Sequence, residues 1–101
     1  MQLRAGLRLQ STTCDTQVIV VRAPGDDLDL RCGGGPMVPM GEEAARRELA
    51  PAFAEGTAMG KRYGSDELGL EILCTRPGQG SLSLGPDPIP LKEAKLLPSS
   101  D

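Results

Sequence analysis

The sequence predicts a mainly β fold: one small domain spanning residues 1–101, made of two β-hairpins, one short α-helix and an extended, proline-rich C-terminal tail. Three observations carry this expectation. Residues 17–22 and 68–75 are rich in apolar and β-branched side chains with strand-like patterning, Pro-Gly and Asp-rich turns follow them, and only residues 42–49 have the composition of a helix. A chain of 101 residues has the length of one domain, and with 39% apolar residues and only Phe53 and Tyr63 as aromatics its core must be small.

Taken in order, residues 1–13 alternate weakly through Leu3, Leu7 and Leu9, which suits a leading edge strand. Residues 17–22 are rich in β-branched side chains, 23–27 (Ala-Pro-Gly-Asp-Asp) have turn chemistry, and 28–31 alternate with period two. These segments read as the first hairpin, within a ribbon spanning 11–40. The run Cys32-Gly33-Gly34-Gly35-Pro36-Met37 then allows positive φ or close backbone approach, and no helix can begin before Pro39 is passed.

A short helix is expected within 41–50, since Glu42 and Glu43 open a run of helix formers and pair at i,i+4 with Arg46 and Arg47. Its apolar face of Ala44, Ala45 and Leu49 is thin. Residues 51–66 read as an irregular loop anchored by Phe53, Met59 and Tyr63. Over 66–85 a second hairpin is expected, with Leu68, Leu70, Ile72 and Cys74 on one strand face, a Pro77-Gly78-Gln79-Gly80 turn, and an alternating return through Leu82 and Leu84. The tail, 86–101, carries Pro86, Pro88, Pro90 and Pro98 and suits extended chain lying along a sheet edge or another subunit. Arg22 before Pro24-Gly25 and Arg76 before Pro77-Gly78, each near a cysteine, form a faint internal repeat that turn chemistry alone would also produce.

Charge and composition exclude several function classes. The balance is −3 with a single basic step at Lys61-Arg62, so a nucleic-acid partner is not expected. The longest apolar run, Val18-Ile19-Val20-Val21, is too short for a membrane span, and Arg4 and Arg8 interrupt the N-terminal stretch, which does not read as a secretory signal. A cytoplasmic protein is expected. Three cysteines, an odd count, argue against a closed disulfide framework and suit reduced thiols or thiolate ligands.

There is no histidine, which rules out a histidine-dependent triad and removes the commonest non-thiolate zinc ligand. Gly33-Gly34-Gly35 lacks the Lys-Ser or Lys-Thr of a phosphate loop and reads as a tight turn. Asp26, Asp27 and Asp29 lack the spacing of a calcium loop, and Lys61-Arg62 beside Tyr63 reads as solvated loop rather than a site for an acidic ligand. For a thiol enzyme the only adjacent cation is Arg31 beside Cys32, and adjacent strand residues face opposite ways, so catalysis ranks below binding.

The most specific feature is a hairpin framed by Cys14 and Cys32, because folding it would bring both thiols to one place. Here the sequence resembles desulforedoxin and the N-terminal domain of desulfoferrodoxin, in which a C-x-x-C-G turn leads into a valine-rich strand and the return strand ends in C-C-G-x-P-M. Leu30-Arg31-Cys32-Gly33-Gly34-Gly35-Pro36-Met37 is similar to that ending with Gly33 in place of the second cysteine. Cys14 matches either family cysteine, with Ser11 replacing the first or Gln17 the second.

The resemblance covers residues 11–40 and implies one zinc or iron ion held by Cys14 and Cys32, with Cys74 as third ligand and Asp15, a water or a group from another chain as fourth. By pattern alone Cys14 and Cys32 are equally well a pair of small half-buried residues, and Cys74, in phase with Leu70 and Ile72, is core. The expected function is a small accessory protein whose metal has a structural or electron-transfer role. The alternative is a metal-free interaction module or a small subunit, with a protein partner or a second copy covering a poor core.

Overall fold

A computed structural model describes residues 1–92; positions 93–101, the end of the expected tail, lie outside the described residues. The strands are β1 (Arg8–Gln10), β2 (Gln17–Arg22), β3 (Leu30–Cys32), β4 (Gly35–Pro36), β5 (Val38–Pro39), β6 (Arg62–Ser65), β7 (Leu70–Arg76), β8 (Leu82–Leu84) and β9 (Asp87–Pro88). They form two antiparallel sheets, ordered β5-β1-β2-β7-β6 and β4-β3-β8-β9. The mainly β class is therefore observed, and hairpins do build it, but they are different hairpins from those the turns suggested.

The expected partners separate into different sheets. β2 pairs with β1 and β7, while β3 pairs with β4 and β8. Likewise β7 pairs with β2 and β6, and β8 with β3 and β9. Period-two alternation fixes which face of a strand is buried but not which strand lies beside it. The Pro-Gly segments after β2 and β7 act as crossings between sheets instead of hairpin turns.

This topology makes the faint repeat of the sequence a structural one. Each unit consists of one hairpin in the first sheet, a crossing, and one hairpin in the second: β1-β2 and β3-β4, then β6-β7 and β8-β9. The correspondence extends to individual hydrogen bonds. Val20 N–H bonds Leu7 O at 2.8 Å as Cys74 N–H bonds Lys61 O at 3.0 Å, and Met37 N–H bonds Leu30 O at 3.1 Å as Ile89 N–H bonds Leu82 O at 3.0 Å. The two units interlock through β2·β7 in one sheet and β3·β8 in the other.

Between the sheets the core is aliphatic. Leu3, Leu9, Val18, Val20, Leu30, Met37, Leu70, Ile72, Leu82 and Ile89 are buried, and Tyr63 packs against them from one side. Each such side chain contributes roughly 1.5–3 kcal/mol on full burial, so a core with one peripheral aromatic is still adequate for a fold of this size. The first unit supplies the larger share of it.

The expected α-helix at 41–50 is absent. Residues 41–48 are exposed and irregular, and the only helical turn among the described residues is a 3-10 turn at Pro51–Phe53. The backbone donors of this segment go elsewhere: Arg47 N–H to Thr12 O at 2.8 Å and Ala50 N–H to Gly33 O at 2.9 Å. With two of its N–H groups tied to distant carbonyls and almost no apolar face to bury, the helical i→i−4 ladder loses the competition. The linker between the units thus becomes a strap across the first one. No helix among the described residues is long and apolar enough to cross a membrane.

Candidate thiol site

The strap crosses the place where Cys14 and Cys32 meet. Cys14 sits in the 11–16 loop joining β1 to β2, and Cys32 ends β3. The two sulfurs are 3.9 Å apart, and both residues are buried. Cys32 is enclosed completely, at 0% exposure, whereas Cys14 retains 5%.

The loop owes its shape to Ser11. Its hydroxyl oxygen accepts the N–H groups of Thr13 at 3.1 Å and Cys14 at 3.3 Å and lies 3.5 Å from the Cys14 sulfur. Side-chain acceptance of nearby N–H groups is how serine stabilises such a turn. The second unit repeats this turn without sulfur: Leu68 N–H bonds Ser65 Oγ at 3.1 Å. Leu68 therefore stands where Cys14 stands, and Leu84, which ends β8, stands where Cys32 stands.

A shell of hydroxyls surrounds the sulfurs. Thr16 Oγ1 is 3.2 Å from Cys14 Sγ and 2.7 Å from Thr57 Oγ1, which in turn accepts Gly78 N–H at 3.1 Å. Gly80 N–H points at the Cys14 sulfur from 3.4 Å. Thr13 Oγ1 donates to Cys32 O at 2.9 Å, fixing the loop against β3.

These contacts separate the two thiols chemically. Burial is the largest single influence on Cys14 and pushes its pKa up, but hydrogen bonds with the Ser11 and Thr16 hydroxyls and with the Thr16 and Gly80 backbone together outweigh it and bring the thiol down to about 6. For Cys32, burial and then the neighbouring Cys14 charge dominate, and its pKa is pushed up to about 12. Of the two thiols, Cys14 is therefore the one that ionises first.

Cys74 is placed differently. It lies on β7 opposite Val18, and its thiol donates to Arg76 O at 3.2 Å. Burial raises its pKa, with the Thr57 hydroxyl acting in the opposite direction, so Thr57 stands between Cys74 and the Thr16 side of the pair. Among the described residues no three His, Cys, Asp or Glu side chains gather closely enough to hold one ion. Asp15, considered as a fourth ligand, is exposed and faces Arg46 at 4.0 Å. Arg31 is held by Asp29 at 2.9 Å and lies on the less buried face of β3 from Cys32. Of the Lys61-Arg62 step, Arg62 is paired with Glu71 at 2.6 Å, and Lys92 joins the same carboxylate at 2.8 Å.

Sequence patterning singled out Cys14, Cys32 and Ser11 but not Thr16, Thr57, Gly78 or Gly80. The threonines around the loop, at 12, 13 and 16, were the only local signal, since they are more hydroxyl-rich than a short turn requires. Thr57, Gly78 and Gly80 come from the second unit and its approach, which no local pattern announces. Compared with protein-family models, with curated proteins and with solved structures, the chain matches none.

Proposed function

We propose that the protein is a small accessory protein that binds a thiophilic ion, zinc or iron, through Cys14 and Cys32 of its desulforedoxin-like segment 11–40, with a structural role or an electron-transfer one. The observation that carries this is the 3.9 Å sulfur–sulfur separation inside a polar shell. Two thiolates sharing a tetrahedral ion at ~2.3 Å each lie ~3.8 Å apart, so the pair has the spacing such an ion requires.

The donor chemistry supports the same reading. Ion binding would displace the proton of Cys32, so that two thiolates neutralise a divalent ion, and the hydroxyl oxygen of Ser11 stands beside Cys14, at one of the two positions where the resemblance calls for a further cysteine. When bound, the ion would supply a covalent-strength tie between the loop and β3. The polar shell would orient the sulfurs that face it, as outer-shell hydrogen bonds do at thiolate sites. Cys74 is not required by this ligand set.

The second unit supports a specific use of the sulfurs. Leu68 and Leu84 at the equivalent positions complete the same turn and the same strand end, so the fold itself asks for no cysteine there. The test is elemental analysis of the full chain purified without chelator, with a visible spectrum for iron–thiolate colour. Metal in near-equimolar amount is expected, lost in Cys14→Ser and Cys32→Ser and retained in Cys74→Ser. A wild-type chain that carries no metal and takes up none when offered Zn²⁺ or Fe²⁺ under reducing conditions overturns the proposal.

A further inference from the structure

We propose that Cys14 and Cys32 form a reversible two-electron thiol switch that closes into a disulfide when a hydroperoxide reaches Cys14. The proposal does not depend on a bound ion and rests on how the two side chains are set in the fold.

The sulfurs face one another directly at 3.9 Å, and a disulfide needs ~2.05 Å. The remaining distance is within the reach of side-chain rotation combined with a small shift of the 11–16 loop, where Cys14 is bound by no strand ladder. The second unit closes over the pair through two glycines. A Cβ at position 78 would lie 3.0 Å from the Cys14 sulfur and one at position 80 would lie 3.1 Å from the Cys32 sulfur, so only glycine leaves the flank of the pair clear. Cys74 takes no part, because its thiol is turned to Arg76 O.

Exposure sets the order of events. Cys14 keeps 5% of its surface and Cys32 none, so a peroxide-sized oxidant meets Cys14 first. The Cys14 sulfur attacks one oxygen of the hydroperoxide, the O–O bond breaks, and the products are a sulfenic acid on Cys14 and an alcohol or water. Cys32 sulfur then attacks the Cys14 sulfur, the S–O bond breaks, and water leaves carrying the Cys32 proton. Two thiols are oxidised by two electrons, and one hydroperoxide is reduced. The buried partner 3.9 Å away intercepts the sulfenic acid before a second oxidant arrives.

The experiment uses the full chain, reduced and stripped of metal with chelator, treated with stoichiometric hydrogen peroxide and read by intact mass and non-reducing peptide mapping. The expected product has lost the mass of two hydrogen atoms, links the Cys14 and Cys32 peptides, leaves Cys74 free, and returns to the starting mass with a dithiol reductant. Cys32→Ser should stop at the Cys14 sulfenic acid and be labelled by a cyclic dione, while Cys74→Ser should behave as wild type. A chain that gains oxygen without losing two hydrogens, or whose bridge contains Cys74, overturns the switch. Metal content is measured on the untreated chain, so this proposal and the metal-binding one fail independently.

Discussion

At the scale of single residues, the chemistry of the site lies in the inequality of two neighbouring thiols. Cys14 is solvated by hydroxyls and an N–H in place of water, while Cys32 is enclosed beside the charge that Cys14 carries. In reduced, metal-free protein the ultraviolet absorbance of thiolate should therefore rise through a midpoint of about 6, protonated below and ionised above, and Cys14→Ser should abolish that step. A first step in the ordinary thiol range, near ~8.5, would show that the hydroxyl shell does not stabilise the charge. The cysteines were legible in the sequence as the frame of a ribbon. Their shell was not, because Gly80 reaches Cys14 across 66 residues of chain and Thr57 reaches Thr16 across 41.

At the scale of elements, the strands were readable and their neighbours were not. Val18 and Val20 on one strand and Leu70, Ile72 and Cys74 on the other each share a buried face, yet that spacing is satisfied by any partner that buries the same face. The linker failed for a different reason: good helix formers at 42–49 lose to two long-range backbone bonds, to Thr12 O and Gly33 O, that a local pattern does not contain. Gly33 is where strap and site press together. It sits at φ 66°, and a side chain there would meet Thr13 and Leu49, whereas Gly25, at φ 87°, has open space around it. Gly25→Ala should thus cost only the backbone term, roughly 1–2 kcal/mol, and Gly33→Ala about 2–4 kcal/mol with crowding added, compared by denaturant midpoint. Equal costs would mean that the strap does not bear on the turn.

At the scale of the whole molecule, the central strands of both sheets meet across the boundary between the two units, β2 with β7 and β3 with β8. A peptide of residues 1–40 would leave those edges unpaired and Val18, Val20 and Leu30 half covered. It should be unfolded as a monomer by circular dichroism and regain strand signal when mixed with a peptide of residues 41–101. Cooperative folding of the monomeric 1–40 peptide would show that the units are self-sufficient.

Two identical units interlocked this way would be obliged to carry identical sites, because any change in one would appear in the other. The exposed linker at 41–48 removes that obligation: it turns what could be a pair of equal chains into one chain whose halves vary separately. One half holds Cys14 and Cys32, and the other holds Leu68 and Leu84 in the same frame. The linker also continues over the sulfurs of the first half through residues 47–53. The tether that permits the asymmetry thereby covers the half that holds the two cysteines, and the Cys14–Cys32 pair occurs in one unit, not in both.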